Sequence, residues 1–457
     1  MEEGKKGIDR RKFLKLLGAG AAVSAASFYG CKSNGDSEKN HSQGPVPTDK
    51  MTYRVNPKTG DKVSILGYGC MRWPTRPKKD GSGDEIDQEE VNRLVDYALA
   101  HGVNLFDTSP RYVQGLSETS TGIALHRHPR DKYFVSTKMS NFDPETQTKE
   151  ASIDIYKNSL KALQVDYFDY YLLHSIGSKE VYQKRYLDNG ILDFLLKERE
   201  AGRIRNLGWS FHGEKEFFDY MLNESGVKWD FVLIQLNYFD WRHASGYNVN
   251  ADYLYAELDK RGIPIFVMEP LQGGRLSKLD FHSLEKLKQM DPNSNAASWA
   301  FRFAGSHPRI LSVLSGMTYM EHLQDNIRTY SPLKPLSQKE MDILEDVAQL
   351  ILQYPFVPCN ECEYCMPCPY GLDIPGIFSH YNRCLKEGNY SENVNDENYK
   401  AARKAFLVGY DRSVPKLRQA NHCTNCGICS PKCPQRIDIP NELQRIDRYV
   451  EDFKING

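Results

Sequence analysis

Eight of the eleven cysteines in this 457-residue chain sit in two short runs after Pro358, and only Cys31, Cys70 and Cys384 stand apart. Thiols bunched in this way read as metal ligands before disulfides, because disulfide scaffolds belong to small domains that lack a core. A second set of reactive side chains is spread through the middle of the chain. Asp107, Tyr112, Lys138 and His174 each stand in or just after a short apolar run. A tyrosine phenol near pKa 10 is a poor acid at neutral pH. A lysine ammonium beside it favours the phenolate and lowers that pKa, and a carboxylate can hold the lysine charged and oriented. An imidazole nearby can hydrogen-bond a substrate oxygen. Such a set suits protonation of the alkoxide left when hydride reduces a carbonyl; run backwards, it deprotonates an alcohol. Taken singly, Asp107 and Lys138 also read as a plain buried ion pair, and Tyr112 as a loop tyrosine.

The elements that must position these residues follow from hydrophobic pattern. Short runs rich in β-formers alternate with amphipathic stretches, the pattern of a parallel α/β fold. Strands are expected at 64–68, 103–107, 133–137, 168–173, 204–209, 231–235, 263–268 and 310–314. Helices are expected between them, among them 89–101, 149–163 and 191–201, with Gly102 and Gly202 suited to helix ends. Eight such units over 51–332 predict a (β/α)8 TIM barrel, a fold in which chemistry sits where the strands end.

The strand-end segments Phe106-Asp107-Thr108-Ser109-Pro110-Arg111-Tyr112, Val135-Ser136-Thr137-Lys138 and Tyr171-Leu172-Leu173-His174-Ser175 resemble those of the aldo-keto reductases. So do Leu66-Gly67-Tyr68-Gly69, Gly202-Arg203-Ile204-Arg205-Asn206-Leu207-Gly208 and Gln235-Leu236-Asn237-Tyr238. The resemblance implies a catalytic tetrad of Asp107, Tyr112, Lys138 and His174. It also implies a nicotinamide cofactor: Gly69, Cys70 and Met71 at the ribose, Ser210 and Gln235 at the carboxamide, Leu271 as a further contact, Gly316 in a segment (313–319) that wraps the adenosine, and Asp325 and Asn326 at the adenine. Gly316 and His322 stand where many members place the Lys and Arg that grip a 2′-phosphate, so NAD is at least as good an expectation as NADP. Met268 stands where an aromatic commonly stacks on the nicotinamide. His212 and Arg242 are candidates to face substrate. Trp73, Tyr238 and Trp241 read equally as pocket wall or core, and Cys70 as a buried thiol before a reactive one.

The cysteine runs are Cys359-x2-Cys362-x2-Cys365-x2-Cys368-Pro369 and Cys423-x2-Cys426-x2-Cys429-x3-Cys433-Pro434. The second is similar to the bacterial ferredoxin signature for a [4Fe–4S] cluster, and the first departs from it by one residue in its last gap. By that analogy Cys359, Cys362, Cys365 and Cys433 hold one cluster, while Cys423, Cys426, Cys429 and Cys368 hold the other. A pair of four-thiolate zinc sites is the rival reading. The long polar spacer, and the matched stretches Pro369-Tyr370-Gly371-Leu372-Asp373-Ile374-Pro375 and Pro434-Gln435-Arg436-Ile437-Asp438-Ile439-Pro440, point to a duplicated, mainly α-helical ferredoxin-like domain over 333–457, with Cys384 structural.

The first 31 residues read as an address. Arg10-Arg11-Lys12-Phe13-Leu14 before a Gly/Ala-rich stretch resembles a twin-arginine signal, too short and weakly apolar to span a bilayer. Cys31 resembles a lipidation site, with cleavage after Ser24-Ala25-Ala26 as the alternative, and 32–50 reads as a linker. Hydrophobic residues at 40%, charged residues at 26% and a net charge of −1 are ordinary globular values that give no field for nucleic acid. The expectation is an exported oxidoreductase of a small carbonyl or alcohol, a sugar or aldehyde, carrying two [4Fe–4S] clusters and passing electrons to a partner protein or quinone-linked acceptor. The alternative is a non-catalytic redox sensor or electron-transfer subunit whose barrel only binds nucleotide.

Overall fold

The computed structural model describes residues 45–244, 248–353 and 355–455. The signal and linker expectations for residues 1–44, including Arg10, Arg11 and Cys31, lie outside the described residues. From Val46 onward the chain forms one compact unit.

Eight parallel strands close into a barrel, each paired with the next in sequence and the eighth with the first. They are β1 (Leu66–Gly69), β2 (Leu105–Asp107), β3 (Phe134–Met139), β4 (Phe168–Ile176), β5 (Ile204–Phe211), β6 (Phe231–Gln235), β7 (Ile265–Met268) and β8 (Ile310–Ser315). Around them lie α1 (Gln88–Ala100), α2 (Ser117–Leu125), α3 (Lys149–Leu163), α4 (Ile191–Glu200), α5 (Lys215–Asn223), α6 (Ala251–Lys260), α7 (Phe281–Met290), α8 (Ala296–Ser306) and α9 (Met320–Tyr330). Cap chemistry marks these helices locally. The side chains of Asp87, Thr148 and Asn295 accept the orphan amides of α1, α3 and α8, and Gly102 and Gly202 take left-handed φ just past α1 and α4.

Side chains alternate across a strand, so every second residue faces the barrel axis. The inward set includes Leu105, Tyr170, Leu172, Phe231, Leu233 and Phe266, which pack with one another as the barrel interior. A hairpin of Tyr53–Val55 and Lys62–Ser64 covers the end where the strands begin. Its Val63 joins the interior cluster, and its Ser64 amide donates to the Asn104 side chain (2.8 Å). The chemistry-bearing end is therefore the opposite one.

After α9 comes α10 (Gln338–Leu352), opened by a capping box of Ser337 and Glu340. Its apolar face, Leu344, Val347, Ala348 and Ile351, belongs to the core around the barrel, not to the C-terminal module where the sequence reading put it. A separate core begins at Val357 and gathers α11 (Ile374–Lys386), α12 (Tyr399–Ser413) and α13 (Ile439–Ile455). The two matched stretches each lead into a helix, α11 and α13, and Asp373 caps α11 through the Gly376 amide (3.1 Å). Cys384 is buried in this second core. Phe356 packs against both cores, and the Arg275 guanidinium lies 4.6 Å from its ring centroid and 4.8 Å from that of Phe239. Among the described residues no helix is long and apolar enough to cross a membrane.

Candidate active site beneath a cysteine-bearing loop

The strand pairing explains why distant residues meet. Asp107 pairs with Ser136 across β2 and β3, and Lys138 with Leu172 across β3 and β4. Leu105 and Asp107, Ser136 and Lys138, and Tyr170, Leu172 and His174 are then the inward positions of three neighbouring strands. The deeper inward residues are largely apolar, and the polar ones, Asp107, Lys138 and His174, gather toward the strand ends.

Lys138 is 1% exposed and its ammonium donates to the Asp107 carboxylate and to the Thr108 carbonyl (2.8 Å). Burying that charge is tolerable only because it is paired. Ser136 donates to the second Asp107 oxygen (2.7 Å). Tyr112 opens a short turn, Tyr112–Gly115, in which Val113 and Gln114 both take left-handed φ (48° and 53°). A β-branched residue there costs on the order of 1–3 kcal/mol, and such strain is common where a loop must aim a side chain. The loop is pinned by Thr108 and Ser117, whose hydroxyls meet at 2.8 Å, and by Ser117 donating to the Cys70 carbonyl (2.8 Å). Lys138 Nζ lies 4.9 Å from the Tyr112 ring centroid, over its face. Burial, with the Asp107 charge, holds the Tyr112 phenol well above its ordinary pKa. In the resting site those two effects outweigh the lowering expected of Lys138, whose ammonium is bound to Asp107 and Thr108.

His174 is fixed through Nδ1, 2.6 Å from Ser140 Oγ and 3.4 Å from Ser109 Oγ. A hydroxyl donating there leaves the imidazole proton on Nε2, the atom able to reach a ligand. Its ring meets Tyr112 edge-on at 5.9 Å and Phe142 at 5.0 Å. Burial and the nearby Lys138 and Arg185 cations keep it neutral, well below the usual histidine range. Arg185 is buried beneath it, donating to the His174 carbonyl (3.0 Å). The sequence carried no sign of that role, since Arg185 lies in an irregular helical stretch, Gln183–Leu187, between predicted elements.

The other candidates divide. His212 comes near His174; its Nδ1 has no hydrogen-bond partner, and burial pushes its pKa down to about 4. Arg242 is an exposed cation 4.0 Å from Glu345, away from the site. Trp73 donates to Thr121 (2.9 Å) and packs on Tyr68, Trp241 stacks on His307 at 4.4 Å, and Tyr238 is buried, so these three are core and not pocket wall. Cys70 is wholly buried and its thiol is pushed well up, which makes it inert.

The residues that the resemblance assigns to a nicotinamide cofactor lie around the same rim. Gly69 ends β1 against the Ser315 backbone, where a Cβ would come within 3.3 Å, and Met71 follows in the next turn. Gln235 ends β6 with its amide donating to the buried Asp240 (2.6 Å), an orienting carboxylate shared with Asn237 and Gln272. That leaves the Gln235 oxygen to accept from a donor, the role a nicotinamide carboxamide amine would fill. Ser210 accepts from the Ser175 amide (2.7 Å). Leu271 sits half-buried at the turn after β7, and Gly316 lies under the Arg72 side chain. Asn326 donates to Ser315 (3.0 Å), and Asp325 accepts from Asn295 (2.7 Å). The set fits a nicotinamide ring and its amide. At the adenine end Gly316 and His322 supply no fixed cation, although Lys278 comes close enough to help hold His322 down.

The first cysteine loop roofs this rim. Asn360 donates to Glu269 at the end of β7 (2.8 Å) and accepts from Arg72 after β1 (2.7 Å). Gly273, with φ of 66°, lies so close under it that a Cβ would stand 2.5 Å from Asn360 Cα. Glu269 and Cys362 lie near Tyr112, and Tyr112 and Cys362 lie near Tyr364. Tyr112 and Glu269 stay half-accessible although desolvated, as side chains lining a roofed hollow do.

Behind the loop a cavity is lined by Cys359, Cys362, Cys365 and Cys433, with Ile374, Phe378 and Ile437 on its apolar side. Burial pushes the Cys359, Cys362 and Cys365 thiols up to about 12, so loading a metal centre there must release their protons. The four thiols lining it are three of the first run and the last of the second. Cys423 and Cys426 lie near Cys429, and Cys368 borders the same core as Cys423 and Cys429.

A closed (β/α)8 barrel with acid–base side chains at its strand ends, roofed by a helical cysteine module, defines a barrel of the reductase type joined to an iron–sulfur domain. The chain belongs to the aldo/keto reductase family, whose model matches residues 65–349, and a 4Fe-4S dicluster domain occupies 358–438. It is 27% identical over 318 residues to L-galactose dehydrogenase of Arabidopsis thaliana, covering 65% of this chain and 93% of that one. Solved structures with the same fold include an aldo-keto reductase of Bacillus halodurans in its holo form (22% identity, TM-score 0.52, 65% of this chain and 96% of that chain). Another is an aldo-keto reductase from Klebsiella pneumoniae in complex with NADPH (20%, TM-score 0.51, 65% and 96%). The matched relative and both structures span about two thirds of this chain, the barrel portion.

Proposed function

We propose that this chain interconverts a carbonyl and an alcohol on a small, sugar-like substrate and exchanges the electrons through two [4Fe–4S] centres in its dicluster domain. The observation that carries the reading is the meeting of Tyr112, Lys138, Asp107 and His174 at the strand ends beneath the loop of Cys359 and Cys362. In this reading Tyr112 gives its proton to the developing alkoxide or takes it back, and the Lys138 ammonium, held in place by Asp107, stabilises the phenolate that forms. His174, neutral and anchored at Nδ1, directs its Nε2–H at the substrate oxygen. A bound nicotinamide, NAD or NADP, would supply or accept the hydride at the rim of Gly69, Met71, Ser210 and Gln235.

A sugar is favoured as substrate class by the likeness to L-galactose dehydrogenase. Arg10-Arg11 support export in folded form, with the centres assembled beforehand, and Cys31 supports a lipid anchor. Outside the cytoplasm no free nicotinamide pool recharges a dissociating cofactor, so the nucleotide travels bound and the electrons pass to a partner protein or a quinone-linked acceptor. Anaerobic turnover of a panel of sugars, aldehydes and ketones with an artificial one-electron acceptor tests the reading. Substrate-dependent reduction of the acceptor is expected. A fully metal-loaded protein that bleaches no acceptor with any member of the panel would leave the sensor reading in its place.

A further inference from the structure

Gln435 stands two residues after Cys433, one of the four thiols lining the first cavity. Its carboxamide nevertheless points at the barrel: Nε2 donates to the Gln235 oxygen (3.3 Å), and Oε1 accepts from Asn248 (3.0 Å). Gln435 is 6% exposed, so both ends of its amide are satisfied inside the protein. On the other side of the contact, the Gln235 amine is already committed to Asp240. The glutamine side chain ends in the same primary carboxamide that a nicotinamide ring carries, and it presents the same N–H donor to the same oxygen. Asn360, beside Cys359, holds the neighbouring loop to Glu269 and Arg72, so the roof is seated from two sides.

We propose that Gln435 is an internal occupant of the carboxamide subsite at Gln235, which a nucleotide must displace, unseating the chain that follows Cys433. This rests on the nicotinamide reading above. Because Cys433 shares a cavity with Cys359, Cys362 and Cys365, displacement alters the surroundings of the first centre. By reciprocity, any change of state at that centre that reseats the loop changes nucleotide affinity by the same factor. The arrangement makes nucleotide occupancy and the first centre two readings of one contact.

The test is anaerobic titration of the metal-loaded protein with NAD+ and with NADP+, followed by calorimetry and by the electron paramagnetic resonance of the reduced centres. Removing one neutral competing hydrogen bond is worth roughly a three- to tenfold gain in affinity. Gln435→Ala should therefore bind nucleotide that much more tightly. Nucleotide should also shift the signal of one centre in the parent protein and not in the variant. Asn248→Ala, which frees the far end of Gln435 from a barrel loop that carries no cysteine, should move affinity the same way by less. This second variant keeps the test open if Gln435→Ala loses iron. Affinity unchanged or weakened in the variants overturns the inference and leaves the nicotinamide reading standing. No nucleotide binding by any of the three proteins overturns both.

Discussion

At the scale of single residues, the site is built from groups whose protonation is set by their surroundings. Tyr112 is held protonated by burial and Asp107, and His174 is held neutral by burial and the cations around it. Both can therefore donate to an oxygen, and neither brings a charge that would have to be desolvated again. Tyr112→Phe deletes the donor and leaves the ring in its edge-on contact with His174. Turnover should fall by about 10²–10⁴-fold, the usual worth of a general acid, while nucleotide binding measured by titration stays nearly unchanged. A near-parental rate in that variant would remove the phenol from the chemistry. The four polar residues were legible because each follows an apolar run. Ser140, Arg185, Asp240 and Glu269, which orient or surround them, were not, because a lone polar residue inside a run or loop carries no periodic signal.

At the scale of elements, strands were read to within a few residues because a buried barrel strand is a short apolar run. β6 and α3 have the expected bounds, and β4 runs on through His174 to Ile176. The helix layer also holds a titratable group. Glu118 on α2 is buried against β3 and α3, accepting from Thr137 (2.5 Å) and Ser159 (3.1 Å), and burial raises its pKa from 4.5 to about 7. The folded state therefore keeps a proton that the unfolded chain would lose. Glu118 contributes stability that is fully present below pH 4.5 and is lost as pH rises through 7. Glu118→Gln mimics the protonated form and should stabilise the protein at pH 9 by on the order of 1–3 kcal/mol, with little effect near pH 4.5. Anaerobic thermal denaturation at the two pH values reads this directly. Equal shifts at both would show that packing, and not the proton, governs the position.

At the scale of the whole molecule, the barrel and the cysteine module share one continuous unit, joined by Phe356, Arg275, Asn360 and Gln435. The helix α10 takes its apolar face to the barrel, so the module begins after Ile351. Protein recovered from the cell envelope should carry about eight irons and eight acid-labile sulfides per chain, from two four-iron cubes. Replacing Arg10 and Arg11 by lysine should leave the same loaded protein in the cytoplasm. Metal and sulfide analysis of both fractions checks the pair of expectations. Stoichiometric zinc without sulfide counts against the clusters, and normal export of the double variant counts against the route.

What the sequence determined by itself is what local pattern can encode: eight strand–helix units, the four polar residues at their ends, and two cysteine runs with ligand spacing. These signals survive in one dimension because a strand's alternation, a helix's period and a ligand loop's spacing each lie within about a dozen residues. Only the tertiary structure brought the first cysteine loop over the barrel mouth and set Gln435 against Gln235, while the grouping of Cys433 with Cys359, Cys362 and Cys365, which line one cavity, had rested on analogy alone. Those contacts link positions 74 to 288 residues apart. Each side of such a contact is an unremarkable polar residue in a loop. Its partner is selected by how two cores dock and which buried amides remain to be satisfied, and no local pattern records that.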